Sequence, residues 1–191
     1  WEWLHRFIGR AIGLVFIIPF LYFIITRQLD KSTIKKTIIL LILGSFQGFL
    51  GWYMVKSGLV DRPDVSHYRL AAHLTTAFVT FAFTLWVALD LIFPIKQTIN
   101  KTYRNLIRIG LAILFIQIIY GAFVAGLDAG FIHNNWPMMN EGKFMHETVL
   151  IEKTPLYKNF IEGRSGVQFV HRILAFIVVF SVLIIYINGK K

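Results

Sequence analysis

The sequence has no cysteine and few charged residues, and each shortage excludes classes of protein. Without cysteine among its 191 residues, the chain can have no disulfide, thiolate zinc site, cysteine nucleophile or cysteine-bound iron–sulfur cluster. Charged residues make up only 16%, against about 25% in a typical soluble domain. Hydrophobic residues make up 56% and the mean hydropathy is +0.62, so the composition argues against a water-soluble protein.

The apolar residues occur in five long runs, at residues 3–26, 37–56, 67–93, 106–126 and 167–187. Each run approaches the ~20 residues that a helix needs to cross the hydrocarbon core of a bilayer. Backbone groups within lipid must find hydrogen bonds inside the protein, which favours helices. We therefore predict an all-α polytopic membrane protein with about five transmembrane helices.

The formal net charge of +10 is typical of nucleic-acid-binding proteins or of membrane proteins with basic cytoplasmic loops. We favour the second interpretation, with membrane lipid and no nucleic acid as a partner. The basic residues lie in the loop after the first run, in the loop after the third and in the C-terminal tail: Arg27, Lys31, Lys35, Lys36, Lys96, Lys101, Arg104, Arg108, Lys190 and Lys191. These loops are predicted to be cytoplasmic. The stretch 127–166, called the long loop below, then lies on the opposite side.

Three histidines, His5, His73 and His171, lie near the same end of the first, third and fifth runs, which all cross the membrane in the same direction. Each is followed four residues later, on the same helix face, by a small residue: Gly9, Ala77 and Ala175. An imidazole beside a small residue can bind haem iron and leave room for the porphyrin. Interfacial histidines and close helix packing are the alternatives.

Charged residues accompany these histidines. The arginines at the same level, Arg6, Arg69 and Arg172, could pair with haem propionates or reach the membrane surface as anchors. Glu2 precedes His5 by one turn and could move protons beside a haem, or could be a solvated acid at a helix start. At the matching place before His171 stands Gln168, which cannot titrate.

Short internal similarities indicate a duplicated bundle. The segment Glu2–Arg6 is similar to Gln168–Arg172, and a Gln-x3-Gly pattern occurs both at Gln47 and at Gln117. Of the other histidines, His67 is expected to have a loop role. His133 and His146 lie in the long loop, where no paired spacing supports a metal site.

Six stretches, in order along essentially the whole chain, resemble the haem A synthase family, most closely its mitochondrial and alphaproteobacterial branch: Glu2–Arg10, Gln47–Val55, Tyr68–Leu74, Gly121–Gly130, Asn135–Met139 and Gln168–Arg172. The resemblance implies eight helices in two duplicated four-helix haem-binding bundles, of which this chain would supply the second to the sixth. We therefore expect a fragment with an N-terminal half-bundle at 1–93 and a C-terminal half-bundle, including the long loop, at 94–191.

The resemblance also implies an activity, the oxidation of the C8 methyl group of haem O to the formyl group of haem A for cytochrome oxidase biogenesis. A bound haem b would be the cofactor, with an unidentified electron donor and haem O synthase as further partners. The expected location is the bacterial inner membrane, with the haem sites towards the periplasm. A cytochrome b-type electron carrier and a transporter or structural subunit are the alternatives.

Carried over by position, the resemblance assigns roles to four residues. His5 and His73 would bind the substrate haem, with Glu2 as the catalytic acid. His171 would bind the iron of haem b, and the second ligand of that iron would lie outside this chain. From their charge and position, we expect Arg6 and Arg69 at the substrate haem and Arg172 at haem b.

Overall fold

The computed structural model describes residues 1–58, 65–93 and 100–189, apart from the side chains of residues 2, 57 and 58. Within these ranges, five helices are long and apolar enough to cross a membrane: α1 (Glu2–Ile25), α2 (Lys31–Gly58), α3 (His67–Ile92), α4 (Lys101–Gly126) and α6 (Arg164–Gly189). A short helix, α5 (Thr148–Ile151), lies in the long loop. The described ranges contain no strand. The predicted all-α fold with five spans is confirmed, and the chain is a multi-pass membrane protein.

Two helices begin several residues before the apolar runs that predicted them. The carboxylate of Asp30 accepts hydrogen bonds from the backbone amides of Ser32 at 3.0 Å and Thr33 at 3.3 Å, which caps the start of α2. Asn100 caps α4 in the same way, with its side-chain oxygen 2.9 Å from the amide of Thr102. The first turns are polar, and hydropathy alone therefore places these starts too late.

Some sequence-based predictions fall outside the described residues. These include the loop charge at Lys96, the tail charges at Lys190 and Lys191, and the domain boundary between residues 93 and 94. The two predicted half-bundles stay a prediction. By backbone contacts, the chain divides into one compact unit of Trp1–Tyr53 with Thr76–Ile95 and a second of Met54–Thr75 with Lys96–Lys191.

In the first unit, the helices α1, α2 and α3 each bury an apolar side chain: Phe20, Leu40 and Val87. An ion pair joins the ammonium group of Lys36 on α2 to the carboxylate of Asp90 on α3. The same ammonium group lies 5.2 Å from the centre of the Trp86 ring. Charges within a membrane-spanning helix are costly unless they are paired, so this contact holds α2 against α3.

The second unit is built around α4 and α6, which run antiparallel. Gly110 lies against Ile185, and Gly121 lies against His171 further along both helices. A Cβ atom on Gly110 would come 2.7 Å from Ile185, so glycine permits the close approach of the two helices. The buried core joins these helices to the start of α3 through Ala71, Ala122, Phe123 and Val167.

His67 begins α3 and does not have the loop role expected from the sequence. Its ring meets the ring of Phe123 edge to face, with the centroids 5.2 Å apart. A Cβ atom on Gly126 would come 2.7 Å from the Cα of His67, so the end of α4 packs directly against the start of α3.

The long loop is a compact structure with its own buried residues, among them Met139, Val149 and Asn159. The side-chain amide of Asn159 donates to the carbonyls of Leu150, Lys153 and Leu156 at 2.9–3.0 Å. Its side-chain oxygen accepts from the amide of Lys153 at 2.7 Å. This single buried side chain thus satisfies the backbone around α5.

Two charged residues connect the long loop to α6, whose first residue is Arg164. The carboxylate of Glu152 accepts from the backbone amides of Arg164 and Ser165, both at 3.0 Å, and so caps the helix start. The Arg164 side chain donates to the carbonyls of Leu127 and Asp128, both at 3.0 Å, just beyond the end of α4. The C-terminal end of α4 is therefore joined directly to the N-terminal end of α6.

Candidate functional site

His171 lies on α6 where that helix packs against Gly121 of α4. A Cβ atom on Gly121 would come 3.3 Å from Cε1 of the His171 ring, so the ring occupies the space beside this glycine. One turn earlier on α4, the amide nitrogen of Gln117 lies 3.5 Å from Nε2 of the same ring. Gln117 and Gly121, which form the Gln-x3-Gly pattern seen in the sequence, are thus the part of α4 that the His171 ring contacts. This part of α4 is called the wall below.

Two polar atoms at this wall have no hydrogen-bond partner: Nδ1 of His171 and the side-chain oxygen of Gln117, both of them buried. A buried polar atom without a partner costs about 1–3 kcal/mol, so such atoms are rare and frequently mark a binding site. A neutral imidazole nitrogen is a ligand for haem iron. His171 is therefore the residue at this wall that would hold an iron porphyrin.

A metal ion caged by side chains is a different kind of site. Within the ranges that the structure describes, no group of three or more His, Cys, Asp or Glu side chains could hold one. A porphyrin brings four nitrogen ligands of its own and needs only axial ligands from the protein. The single half-buried imidazole of His171 is consistent with that requirement.

Arg172, the residue after His171, holds the long loop on the side of α6. Its guanidinium group donates to the carbonyls of Asn135 at 2.9 Å, Met138 at 3.1 Å and His133. The sequence-based role of Arg172 in cofactor binding stays a prediction. The contacts that the structure assigns to it are with the backbone of the loop.

Gln168, one turn before Arg172, acts in the same way. Its side-chain amide donates to the carbonyl of His133 at 3.0 Å, and its own oxygen is buried without a partner. The side chain is only 5% exposed, so it is part of the protein interior. Glutamine supplies here an amide donor that Glu2, at the matching place in the first half of the sequence, would lack.

The other predicted site residues divide between the two units. His5 and Arg6 lie exposed on α1 in the first unit, where a Cβ atom on Gly9 would meet no atom within 4 Å. The open space one turn from His5 leaves room for a flat ligand. Glu2 begins α1, and its side chain lies outside the described part of the protein.

His73 and Arg69 belong to the second unit, on the first turns of α3, and both are half-buried. They are four residues apart and share one face of the helix. The pairing of His5 with His73 around one haem stays a prediction.

Sequence reasoning missed a buried polar network in the long loop. Nδ1 of His146 lies 2.8 Å from the Thr148 hydroxyl. The Thr148 hydroxyl donates to the Ser165 hydroxyl at 2.9 Å. That hydroxyl lies 3.2 Å from Nε2 of His133. The four residues are scattered along the sequence without a periodic pattern. Only the presence of two histidines in one loop could have suggested it.

His133 is one of two buried members of this network, with 3% of its surface exposed against 2% for Ser165. Burial lowers the pKa of His133 below its ordinary value of 6.5, and the nearby His146 and Arg172 lower it further, whereas Glu152 acts in the opposite direction. These surroundings therefore favour the neutral form of the imidazole. This network is separate from the wall of Gln117 and Gly121 around His171.

Comparison with known proteins shows similarity along nearly the whole chain. It matches the COX15-CtaA family, described as cytochrome oxidase assembly protein, over residues 1–190. A heme A synthase of Flavobacterium johnsoniae is 63% identical over 100% of this chain and 56% of its own length. The heme A synthase of Parvibaculum lavamentivorans is 45% identical over 96% of this chain and 53% of its own length.

The chain therefore spans about half the length of the curated relatives it matches. No solved structure matches it. The resemblance drawn from the six sequence stretches is confirmed, since the family match extends over nearly every residue. This chain belongs to the COX15-CtaA family of cytochrome oxidase assembly proteins.

Proposed function

We propose that this chain is the haem-binding part of a haem A synthase, an oxidoreductase that converts the C8 methyl group of haem O to the formyl group of haem A. The half-buried imidazole of His171, whose buried Nδ1 is unpaired beside Gly121, carries the proposal. The names of relatives at 63% and 45% identity support it. The proposed location is the bacterial inner membrane, with the haem sites towards the periplasm.

In the second unit, His171 would hold haem b, which would supply the capacity for single-electron transfer. The electrons would come from an external donor. The protein's own part is to hold the imidazole. Gly121 gives the ring its place, and the side-chain amide of Gln117 beside Nε2 restricts its orientation. Arg172 and Gln168 hold the long loop against the same helix and thereby limit the access of water from that side.

For the substrate haem, the proposed ligands are His5 and His73. Arg6 and Arg69 each lie close in sequence to one of these histidines and would pair with the propionates. Glu2, one helical turn from His5, would hold or release a proton as the methyl group is oxidised. Haem O synthase is the proposed source of the substrate.

Haem content and haem A yield of the full-length protein test this proposal. Pyridine haemochrome analysis of His171→Ala should show loss of haem b, and His5→Ala should show loss of the substrate haem. His146→Ala, which alters a histidine of the long loop, is the matched control and should retain both. Purified wild-type protein without a Soret band would contradict any haem-binding function.

The role of Glu2 needs a separate measurement. We expect Glu2→Gln to retain its haem but to form haem A at less than about 1% of the wild-type rate, the effect typical of losing a general acid or base. Normal haem A formation in Glu2→Gln would remove the catalytic assignment. Stable haem with no haem A formation by the wild type would favour the cytochrome b-type electron carrier.

A further inference from the structure

An unbroken chain of hydrogen-bonding side chains joins two histidines of the long loop through the first turn of α6. Nδ1 of His146 lies 2.8 Å from the Thr148 hydroxyl, and that hydroxyl lies 2.9 Å from the hydroxyl of Ser165. The Ser165 hydroxyl lies 3.2 Å from Nε2 of His133. Each of the four groups can act as a donor or as an acceptor, so a proton can pass from one to the next.

The protons of this chain have two arrangements in which all three hydrogen bonds are made. Each hydroxyl has one proton, so it donates to one neighbour and accepts from the other. In the outward arrangement, Nε2 of His133 donates to Ser165, and Thr148 donates to Nδ1 of His146. In the inward arrangement every bond is reversed, so Nε2 of His133 accepts. A neutral His133 then carries its proton on Nδ1.

The two ends of the chain differ in how well they accommodate a positive charge. Burial, and then the nearby His146 and Arg172, lower the pKa of the His133 imidazole, whereas the carboxylate of Glu152 acts in the opposite direction. The rings of His133 and His146 have their centroids 5.0 Å apart, which disfavours a charge on both. Nε2 of His146 lies 3.9 Å from the carboxylate of Glu141. An extra proton on the pair is therefore more stable on His146.

Neutral His146 favours the outward arrangement. The backbone amide of Thr148 lies 3.3 Å from Nδ1 of His146 and donates to it, which places the proton of the ring on Nε2. That proton faces Glu141, whose carboxylate is also paired with Lys143 at 2.9 Å. Gain of a proton by His146 requires Nδ1 to become a donor and therefore reverses the whole chain.

The inner end of the chain is a buried polar atom without a partner. Among the residues that the structure describes, none forms a hydrogen bond with Nδ1 of His133. Gln168, whose amide donates to the carbonyl of His133 at 3.0 Å, also has a buried side-chain oxygen without a partner. An unpaired buried polar atom costs about 1–3 kcal/mol. In the outward arrangement Nδ1 carries no proton, so it is free to bind one from the interior.

We propose that these four side chains form a proton relay from the interior of the protein to Glu141. A proton binds to Nδ1 of His133, and His133 passes the proton of its Nε2 to Ser165. Ser165 passes its hydroxyl proton to Thr148, and Thr148 passes its own to Nδ1 of His146. The proton on Nε2 of His146 then leaves for the carboxylate of Glu141 or for water. One proton enters, one leaves, and the chain ends in the inward arrangement.

Nitrogen-15 NMR of the full-length protein with labelled histidine rings tests the relay, because ring nitrogens with and without a proton have separate resonances. His133→Gln and His146→Gln assign the signals. At pH 7.5 we expect the proton of His133 on Nε2. At pH 5 we expect it on Nδ1, with both nitrogens of His146 protonated. The measurement does not depend on the proposed haem binding, since a relay is detected whether or not haem A is formed.

Three threonine variants show whether the hydroxyl chain couples the two rings. Thr148→Val keeps the shape of the side chain but removes the hydroxyl, so the His133 proton should stay on the same nitrogen at both pH values. Thr148→Ser keeps the hydroxyl and should behave like the wild type. Thr154→Val, at an exposed threonine of the same loop, is the matched control and should also behave like the wild type.

If Thr148→Val fails to fold, Ser165→Ala interrupts the chain at the other hydroxyl and should give the same result. A wild-type His133 whose proton stays on one nitrogen at both pH values overturns the proposal. A change of nitrogen that persists without the hydroxyl overturns it as well. Protonation of both nitrogens of His133 at pH 5, with His146 still neutral, would place the charge at the wrong end and also contradict the relay.

Discussion

Gly166 packs directly against the backbone carbonyl of Asn159. A Cβ atom at position 166 would overlap the carbonyl oxygen. The contact brings the first turn of α6 onto the most highly hydrogen-bonded residue of the long loop. Asn159 has no exposed surface, and the loop around it cannot shift without breaking the hydrogen bonds of its side chain. Packing of the loop on α6 therefore depends on the absence of a side chain at this position.

Gly166→Ala should destabilise the protein, because its Cβ atom would collide with backbone and not with a movable side chain. We expect a loss of about 1–3 kcal/mol, the usual cost of forcing extra atoms into a packed interior. Thermal unfolding in detergent, followed by circular dichroism, measures it. Gly13→Ala is the matched control, because a Cβ there meets no atom within 4 Å. Equal melting temperatures for the two variants would contradict the close contact.

The Lys36–Asp90 pair predicts that the stability effects of replacing its two members are not additive. Lys36→Met alone leaves the Asp90 carboxylate without its partner ammonium group, and we expect a loss of about 2 kcal/mol since both groups are only 21–24% exposed. The double variant Lys36→Met with Asp90→Leu should recover most of that loss, because neither charge remains. Unfolding of the four members of the cycle gives the coupling energy. Additive effects would mean that the pair does not hold α2 and α3 together.

The lowered pKa of His133 predicts that acid loosens the long loop. Because the folded state favours the neutral imidazole, stability is complete above the ordinary pKa of 6.5 and is lost as the pH falls towards the lower pKa of the folded protein. Amide hydrogen exchange of residues 129–149 should therefore be faster at pH 5 than at pH 7.5, after correction for intrinsic rates. His133→Gln should flatten this dependence. If His133→Gln shows the same pH dependence of exchange as the wild type, groups other than His133 cause that dependence.

Arg172 and Arg164 hold different parts of the long loop, so their variants should affect different amides. Arg172→Lys replaces two guanidinium nitrogens, which together reach three carbonyls, by a single nitrogen. Exchange at residues 133–138 should therefore rise about tenfold, equivalent to ~1.4 kcal/mol. Arg164→Lys should have its effect at residues 127 and 128, whose carbonyls Arg164 binds. The same pattern of exchange in both variants would contradict separate anchoring.

The sequence predicted the number and approximate positions of the spanning helices, because a run of apolar residues long enough to cross a bilayer has few other structures available. It placed the starts of α2 and α4 too late, because Asp30 and Asn100 cap those helices from within polar segments. Capping depends on a local hydrogen bond that hydropathy does not record.

The candidate site was predictable only in part. His171 could be chosen from its depth and from the small residue one turn away, both of which are properties of a single helix. Its contact with Gln117 and Gly121 depends on how two helices pack, which spacing along one chain does not give. The network of His133, Thr148 and Ser165 has no sequence period at all, because the fold of the long loop alone brings these residues together.

The ion pair between α2 and α3 also bears on how the protein enters the membrane. Lys36 on the one helix and Asp90 on the other would each carry an uncompensated charge into the bilayer if its helix were inserted alone. Once the two helices meet, the charges neutralise each other. We therefore expect α2 to integrate more stably in the presence of α3 than alone.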